Sequence, residues 1–382
     1  MNRTNGFEIV TINGTPYLMP YGQMLAENRR GIRLSDSGVF LWNALPSVND
    51  RQELLAAFAA HYEALPQEIP ELEKDMNAFI DELISWGMLE QDTPAPLSCR
   101  AFLIGGLHLR LRLPSELPFP YFDDFSEPPC PAPDMTVEII PCEGLKKTGP
   151  GNRLLISTEE VLITEARSWY SIFFPLSPQI HECRLKKDGT LYQLFITPPF
   201  REPLPTDLFH AIRLGFLFRA QTLGRIGIHS ASLYYRGKVW LFAGSSGTGK
   251  STHTNLWNTQ FGTPIVNGDL NLIGISGGVP TVYGIPWCGT SGVCQSGTWP
   301  LGGIIHLKQD TGNHCHVLTE EQQILFLTHR IISPSWTPGQ LKKNLEISEQ
   351  LNRHIFSARL HCTADAGAAI HMREQIDDFL GK

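Results

Sequence analysis

The N-terminal part of the chain combines a hairpin pattern with helical patterns. The β-prone runs Phe7–Ile12 and Thr15–Pro20 flank Asn13-Gly14, a dipeptide that strongly indicates a two-residue β-turn. Ser35 is a candidate helix N-cap before apolar positions at helical spacing, and Pro70 opens the last of three such stretches. A hairpin followed by three short helices is the outline of a winged helix-turn-helix, an α+β fold.

The pattern changes after the third predicted helix. Gln91–Ser98 contains two prolines and is typical of a linker, so we predict domains at residues 1–92 and 93–382. Residues 102–221 alternate apolar runs with many prolines, which predicts strands and loops that flank a larger sheet and carry no chemistry. From Gly227 onward strands and helices alternate, as in an α/β nucleotide-binding domain.

Composition and charge exclude several classes of function. The chain has 382 residues, 42% of them hydrophobic and 18% charged, and a net charge of −7. An acidic chain has no general attraction for nucleic acid, and we interpret the arginines from Arg213 to Arg225 as an ordinary solvated helix face. No apolar run is long enough to span a bilayer and the start lacks a signal-peptide pattern. We therefore expect a cytoplasmic protein without membrane or nucleic-acid partners.

The cysteine and histidine spacings favour neither disulfides nor a metal centre. None of the eight cysteines has the C-x-x-C spacing, and free thiols are expected in a long chain of this kind. His314-Cys315-His316 looks like a metal triplet, but neighbours in an extended segment point to opposite faces. These three residues therefore do not predict a shared metal site.

One segment carries a phosphate-binding pattern. The buried-type strand Lys238–Ala243 runs into Gly-x-x-x-x-Gly-Lys-Ser, and a helix follows. Strand, loop and helix in this order distinguish a Walker A loop (P-loop) from a glycine-rich turn. The residues predicted to bind the nucleotide are Gly244, Ser245, Ser246, Gly247, Thr248, Gly249, Lys250, Ser251 and Thr252.

The chemistry of this loop predicts ATP, or another nucleoside triphosphate, and Mg²⁺ as cofactors. Glycines let successive backbone N–H groups turn inward around an anion, and the helix N-terminus adds further donors. Lys250, whose side chain we expect to face solvent, brings a full charge to the β- and γ-phosphates. Ser251 offers a hydroxyl to Mg²⁺. Phosphate binding alone does not choose among hydrolysis, transfer and sensing.

Two further residues are candidates for the chemistry. His229 lies on the predicted strand that leads to the P-loop through a hairpin at Arg236-Gly237, and it is either a catalytic residue or a hydrogen-bonded core histidine. Asp269 follows the short apolar strand after the P-loop helix, where such enzymes place a Mg²⁺ ligand or a base for the attacking hydroxyl. Its Asn-Gly-Asp setting equally fits a turn former.

The segment Gly227-Ile-His229-Ser-Ala-Ser-Leu, the hairpin, the P-loop and Asp269 together resemble the catalytic core of HPr kinase/phosphorylase and its relatives. That family shares a P-loop fold with ATP-type phosphoenolpyruvate carboxykinases, so the resemblance implies an α/β domain of this type. It also implies that His229 and Asp269 are catalytic together with Lys250, and that Asp269 serves as base, as metal ligand with Ser251, or as both. HPr kinases are hexamers, which allows a homo-oligomer here.

This chain departs from the family at two points. Gly268 stands where the first residue of the family's usual Asp pair would be, so one carboxylate has to cover two roles. The family's Arg- and Asn-containing loop for HPr binding is not found, so HPr itself is not expected as the substrate. Tyr283-Gly-Ile-Pro-Trp-Cys-Gly-Thr-Ser291 resembles a segment of HPr-kinase-like proteins that lies beside the active site.

The N-terminal region resembles a second family. The hairpin, Ile32–Trp42 and Phe79–Leu89 look like PqqD-type domains, and the resemblance spans about Phe7 to Glu90. These small winged helices recognise the leader of ribosomally made peptides by adding a strand to their sheet. A winged helix that only packs on the catalytic domain, or one that binds DNA, is the alternative, and the lack of a basic recognition helix disfavours DNA.

Taken together, the patterns favour an ATP-dependent kinase for a serine or threonine hydroxyl of a ribosomal peptide or small protein. The N-terminal domain would hold the substrate leader. A non-catalytic nucleotide sensor and a kinase of a free small metabolite are the alternatives.

Overall fold

The computed structural model describes residues 3–4, 6–26, 29–48, 51–89, 97–142 and 153–381. The chain divides into two compact units, Met1–Pro96 and Leu97–Lys382. Most of the predicted linker at Gln91–Ser98 lies outside the described residues, and Ser98 already belongs to a strand. Among the described residues, no helix is both long and apolar enough to cross a membrane.

The first unit contains a small antiparallel sheet and helices around one apolar core. The predicted hairpin is confirmed: Phe7 pairs with Pro20 and Ile12 with Thr15 across Asn13-Gly14. Ser35 caps a helix, because its hydroxyl accepts a hydrogen bond from the backbone N–H of Gly38 at 3.1 Å. The sheet order is β1-β2-β3. The elements are β1 (Phe7–Ile12), β2 (Thr15–Pro20), α1 (Gln23–Ala26), β3 (Ile32–Arg33), α2 (Asp36–Ala44), α3 (Arg51–His61) and α4 (Ile69–Ser85). The buried core of the first unit includes Leu18, Leu45, Leu54, Ile80 and Leu83.

The second unit begins with a sheet of its own. The strands predicted between residues 102 and 221 are present, and they pair with one another in a sheet of their own, in the order β4-β5-β6-β11-β10-β9-β8-β7. They are β4 (Ser98–Ile104), β5 (Leu107–Leu113), β6 (Met135–Pro141), β7 (Arg153–Ser157), β8 (Leu162–Glu165), β9 (Trp169–Phe173), β10 (Ile180–Lys186) and β11 (Leu191–Ile196). Helix α5 (Leu204–Thr222) follows and buries its apolar side in the same core as this sheet.

A second large sheet carries the segment predicted to be a P-loop. Its strands are β12 (Arg225–Tyr235), β13 (Lys238–Ala243), β14 (Ile265–Asn267), β15 (Leu270–Ser276), β16 (Val279–Tyr283), β17 (Thr298–Gln309), β18 (His314–Val317) and β19 (Phe356–Cys362). Their order is β13-β12-β15-β16-β17-β19-β18, and β13 also pairs with β17, which closes five strands into a ring. The helices are α6 (Lys250–Phe261), α7 (Glu320–Thr328), α8 (Pro338–Asn352) and α9 (Ala366–Leu380).

The β12–β13 hairpin fixes the start of the P-loop. Arg236 and Gly237 both adopt positive φ angles, 50° and 79°, as a tight hairpin turn requires. Strand β13 is buried along its length from Val239 to Ala243 between its two neighbouring strands. Because β13 is paired on both sides, its end has a fixed position, and so has the start of the loop that follows it.

Candidate active site

The predicted P-loop, residues 244–251, contains two glycines with positive φ angles. Gly247 and Gly249 adopt φ angles of 75° and 102°, which only glycine adopts without strain. Thr248 stabilises the loop from within, since its hydroxyl donates to the carbonyl oxygen of Ser245 at 2.7 Å. Gly249 is the N-cap of α6 and has no side chain to cap it. The first N–H groups of α6 therefore have no side-chain partner from their N-cap and suit a bound anion.

Lys250 lies against its own loop. Its ammonium group donates to the carbonyl oxygens of Gly244 and Ser245, each at 3.2 Å. The residue is only 8% exposed, so the expectation of a solvent-facing side chain is wrong. Burial lowers the pKa of Lys250, while the negative charge of Asp269 acts in the opposite direction. The two predicted binding residues that follow, Ser251 and Thr252, are exposed.

His229 and Asp269 meet beside the P-loop. The Nε2 atom of His229 lies 3.3 Å from Oδ1 of Asp269, and the two side chains are 34% and 39% exposed. A histidine with this exposure is not a core residue, which removes one alternative left open by the sequence. The hydrogen bond from His229 lowers the pKa of Asp269, and the charges of His229, Lys250 and Arg213 act in the same direction. Asp269 is therefore an ionised carboxylate at neutral pH.

The turn around Asp269 is formed by another residue. Asp269 lies in the two-residue connection between β14 and β15, just past the strand end, and its own N–H donates to Oδ1 of Asn267 at 2.9 Å. The N–H of Leu270 donates to the same oxygen at 3.0 Å. The amide nitrogen of Asn267 in turn donates to the carbonyl oxygens of Ile285 and Trp287, each at 3.2 Å. Asn267 thus fixes the turn, and the carboxylate of Asp269 is left for other contacts.

Close packing explains why glycines flank this carboxylate. A Cβ atom on Gly268 would lie 2.0 Å from the hydroxyl oxygen of Ser291, so the position has no room for a side chain. A Cβ atom on Gly289 would lie 2.8 Å from Cβ of Asp269, and the φ angle of Gly289 is 59°. The segment predicted to lie beside the active site, Tyr283–Ser291, does contact Asp269 through Gly289.

A cavity of about 650 Å³ lies over this pair. It brings together His229, Asp269 and Ser246 from the predicted set, and adds Arg213 and His210 from α5. The prediction of a solvated arginine face is wrong, because α5 packs against the first sheet of the unit and Arg213 is half-buried, pointing into this cavity. The other lining residues are Glu160, Val161, Phe174, Leu214, Leu217 and Ile332.

A second cavity lies on the other side of the loop. It has a volume of about 320 Å³. From the predicted nucleotide-binding residues, it is lined by Gly247, Thr248, Gly249 and Thr252. The other lining residues are His253, Leu256, Gln309, Asp310, Cys362, Thr363 and Ala364. Ser246 lines the first cavity and Gly247 the second, so the P-loop separates the two. Gln309 fixes this edge, because its amide nitrogen donates to the carbonyl oxygen of Gly247 at 3.1 Å.

The structure places a positively charged side chain, that of Arg330, beside the loop, and the sequence pattern did not indicate it. The guanidinium of Arg330 donates to the hydroxyl of Ser245 at 3.1 Å, and its backbone carbonyl accepts from the N–H of His229 at 2.8 Å. Burial lowers the pKa of the nearby His306 to about 3, and the charges of Arg330 and Arg359 add to the effect. A positive charge thus lies at the mouth of the P-loop. Arg330 is far from the loop in sequence and belongs to no motif, so only the fold reveals it.

Cys288 is predicted to be the most reactive thiol at neutral pH. A hydrogen bond from the thiol of Cys294 lowers the pKa of Cys288 to about 7, whereas burial raises the pKa of Cys315 to about 11. Since the thiolate is the nucleophile, limited labelling with iodoacetamide at neutral pH should modify Cys288 several-fold faster than the exposed Cys99. Peptide mapping measures this, and Cys294→Ala should slow the reaction. Equal labelling of Cys99 and Cys288 would contradict the assignment.

Comparison with known proteins gives a result for the first unit. Residues 23–89 match one protein family. The family is described as coenzyme PQQ synthesis protein D (PqqD). The match covers α1 to α4 and starts after the hairpin, whereas the sequence pattern suggested a resemblance from about Phe7. A search of curated proteins finds none that matches the chain.

Proposed function

We propose that the chain is an ATP-dependent kinase that phosphorylates a serine or threonine hydroxyl of a ribosomally made peptide or small protein. The observation that carries the proposal is the ionised carboxylate of Asp269, paired with His229 at 3.3 Å in one cavity with Ser246 of the P-loop. A phosphate loop beside a positioned carboxylate is the arrangement that phosphoryl transfer to a hydroxyl requires.

The fold proposed for the second unit is the P-loop fold of HPr kinases and ATP-type phosphoenolpyruvate carboxykinases. Its support is the order of elements: the histidine-bearing β12, the hairpin into β13, the P-loop and α6, and then the Asp269 turn. For the first unit we propose a winged helix-turn-helix, supported by the β1–β2 hairpin, the helices α2 to α4 and the PqqD match.

The residues of the P-loop fit a nucleoside triphosphate with Mg²⁺. The backbone nest of Gly247 and Gly249 and the N-terminus of α6 suit the phosphates, and the ammonium of Lys250 would exchange its contacts with loop carbonyls for the β- and γ-phosphates. Ser251 and Asp269 supply the hard oxygen ligands that Mg²⁺ prefers. Bound there, Mg²⁺ would neutralise charge that develops on the transferred phosphoryl group.

The two cavities suggest how the substrates are arranged. The nucleoside would occupy the cavity beside Gly247 and Asp310, and the acceptor would enter the larger one that contains Asp269. In this arrangement Asp269 would orient the acceptor hydroxyl and take its proton as the oxygen bonds to the γ-phosphorus, while the bond from that phosphorus to the bridging oxygen breaks and ADP leaves. His229 holds the carboxylate in place, and Lys250, Arg213 and Arg330 supply the positive charge around the phosphates.

The PqqD-like domain would bind the substrate leader. PqqD-type domains recognise peptides by strand addition, and the described sheet of this unit, in the order β1-β2-β3, has β1 as a six-residue end strand. A tethered binding module raises the local concentration of the acceptor at the catalytic unit. The domain would therefore act on substrate affinity and leave the chemical step to the second unit.

Removal of the first unit is expected to separate leader binding from the chemical step. Each unit has its own buried core, so residues 97–382 can be prepared alone. For a leader-bearing peptide, KM should rise roughly tenfold or more relative to the full chain. For a short fragment that contains only the acceptor residue, KM and kcat should stay unchanged.

The alternatives predict other outcomes in the same assay. Equal losses on both peptides would give the first unit a structural role. ATP binding without any formation of ADP would favour the nucleotide sensor, and transfer to a free metabolite by residues 97–382 would favour the metabolite kinase.

A further inference from the structure

We propose that the β18–β19 edge of the second unit binds a transition-metal ion such as Zn²⁺ through Asp310, His314 and His361. This inference does not rest on the proposed function. One imidazole nitrogen from each histidine and one carboxylate oxygen all lie within 4.8 Å of one another. Two histidines and a carboxylate form a common donor set for Zn²⁺ in proteins.

Strand pairing brings the three residues together. His314 on β18 is directly opposite His361 on β19 in the antiparallel register, and their rings stack with centroids 4.3 Å apart. Asp310 follows the end of β17, and its N–H donates to the carbonyl oxygen of Cys362 at 3.0 Å. These contacts hold the backbone of all three residues in regular sheet structure or next to it, which limits the cost of ordering a site.

The carboxylate of Asp310 is already aimed at the histidine. Its Oδ2 atom lies 2.9 Å from Nδ1 of His361, while Oδ1 accepts from the N–H of Thr311 at 2.7 Å. A metal ion bound by Oδ2 of Asp310 and Nδ1 of His361 would take the place of the hydrogen bond between these two atoms, and the proton would pass to solvent. Zn²⁺ bonds of 2.0 to 2.2 Å place ligand atoms about 3.4 Å apart, so rotations of the exposed Asp310 and His314 side chains suffice to close the site.

The sequence argument against His314-Cys315-His316 holds for Cys315. Cys315 points to the other face of β18 and packs against the apolar core there, so its thiol is directed away from His314 and His361. His316 shares the face of His314, but its ring lies 5.7 Å from that of His361 and it is opposite Arg359. The positive charge of Arg359 disfavours a cation at that end, so we assign three protein ligands and a water position.

The chemistry of the ligands selects the class of metal. Imidazole nitrogens with a carboxylate suit Zn²⁺, Co²⁺ and Ni²⁺, whereas Mg²⁺ and Ca²⁺ prefer all-oxygen sites. Asp310 also lines the cavity beside the P-loop next to Gln309, which donates to Gly247. A bound ion would therefore fix one wall of that cavity and would be distinct from the Mg²⁺ proposed at Ser251 and Asp269.

A titration of the full chain with metal alone tests the proposal. Chain stripped with a chelator, without nucleotide, is titrated with ZnCl₂ and CoCl₂ and then with excess Mg²⁺. The expected result is one equivalent of Zn²⁺ bound, visible absorption of tetrahedral Co²⁺, and no displacement by Mg²⁺. His314→Ala, on the exposed face of the last strand of the sheet, should weaken Zn²⁺ binding roughly a hundredfold, and Asp310→Asn by about tenfold or more.

A similar pair elsewhere on the surface provides the matched control. His108 lies 2.7 Å from Glu127 and forms the same kind of histidine–carboxylate pair, but neither residue belongs to a group of three ligands among the described residues. His108→Ala should leave Zn²⁺ affinity unchanged. The proposal is overturned if the wild-type chain binds no stoichiometric Zn²⁺, or if binding and the Co²⁺ spectrum are the same in His314→Ala as in the wild type.

Discussion

Replacement of Asp269 by asparagine is expected to lower the rate of phosphoryl transfer roughly a hundredfold or more. Asparagine keeps the size of the side chain but removes its basicity and its charge. The turn itself should survive, because its hydrogen bonds go to the side chain of Asn267. Binding of Mg²⁺ and nucleotide should weaken less than the rate, since in the proposed site Lys250 and the loop amides would hold the phosphates.

The histidine variant and the pH dependence check this assignment. His229→Ala should lose less activity than Asp269→Asn, because in the proposed mechanism His229 only holds the carboxylate in place. The hydrogen bond from His229 lowers the pKa of Asp269, so the carboxylate is ionised and the rate ratio should be constant from about pH 6 to about pH 8. Full activity in Asp269→Asn would mean that the proton passes directly to phosphate or that another base acts.

Replacement of Lys250 is expected to give the second large effect, on nucleotide binding. Lys250→Met keeps the buried stem but removes the charge, which should weaken ATP binding by about tenfold to a hundredfold and abolish measurable turnover. Calorimetric titration with Mg²⁺ and ATP measures the affinity, and a thermal unfolding curve without nucleotide checks that the fold is intact.

The structure makes Met a better choice than Ala at this position. Lys250 is buried and donates to the carbonyls of Gly244 and Ser245, so a truncation to Ala would also leave a void beneath the loop. Lys238, a half-buried residue at the start of β13, provides the control, and Lys238→Met should bind ATP with the affinity of the wild type. Unchanged ATP affinity in Lys250→Met would remove the basis for a phosphate loop.

The local elements could be predicted from the sequence because short-range chemistry fixes them. Asn13-Gly14 dictates its turn, Ser35 caps a helix through its own hydroxyl, and Gly247 and Gly249 supply backbone angles that other residues avoid. The first sheet of the second unit was not predicted as a sheet, because alternating apolar residues indicate strands but not which strands pair with one another.

The residues around the candidate site could not be predicted, because they are brought together by contacts between segments that lie far apart in the sequence. Arg330 reaches Ser245 from a segment 85 residues away along the chain. Arg213 looked like a surface residue because helical spacing shows which positions share a face but not what covers that face. Asp269 could be a turn former or a catalytic group in the sequence, and the hydrogen bonds of Asn267 decide that it does not form the turn.

The central claim is transfer of a phosphoryl group from ATP to a peptide hydroxyl, and mass spectrometry tests it most directly. The full chain, Mg²⁺ and ATP with ¹⁸O in the γ-phosphate are incubated with the small-peptide fraction of cells that make the protein. The account predicts that a peptide acquires labelled phosphate on a serine or threonine with the wild type and not with Asp269→Asn. Labelled phosphate in free metabolites or water alone, with every peptide unmodified, would contradict it.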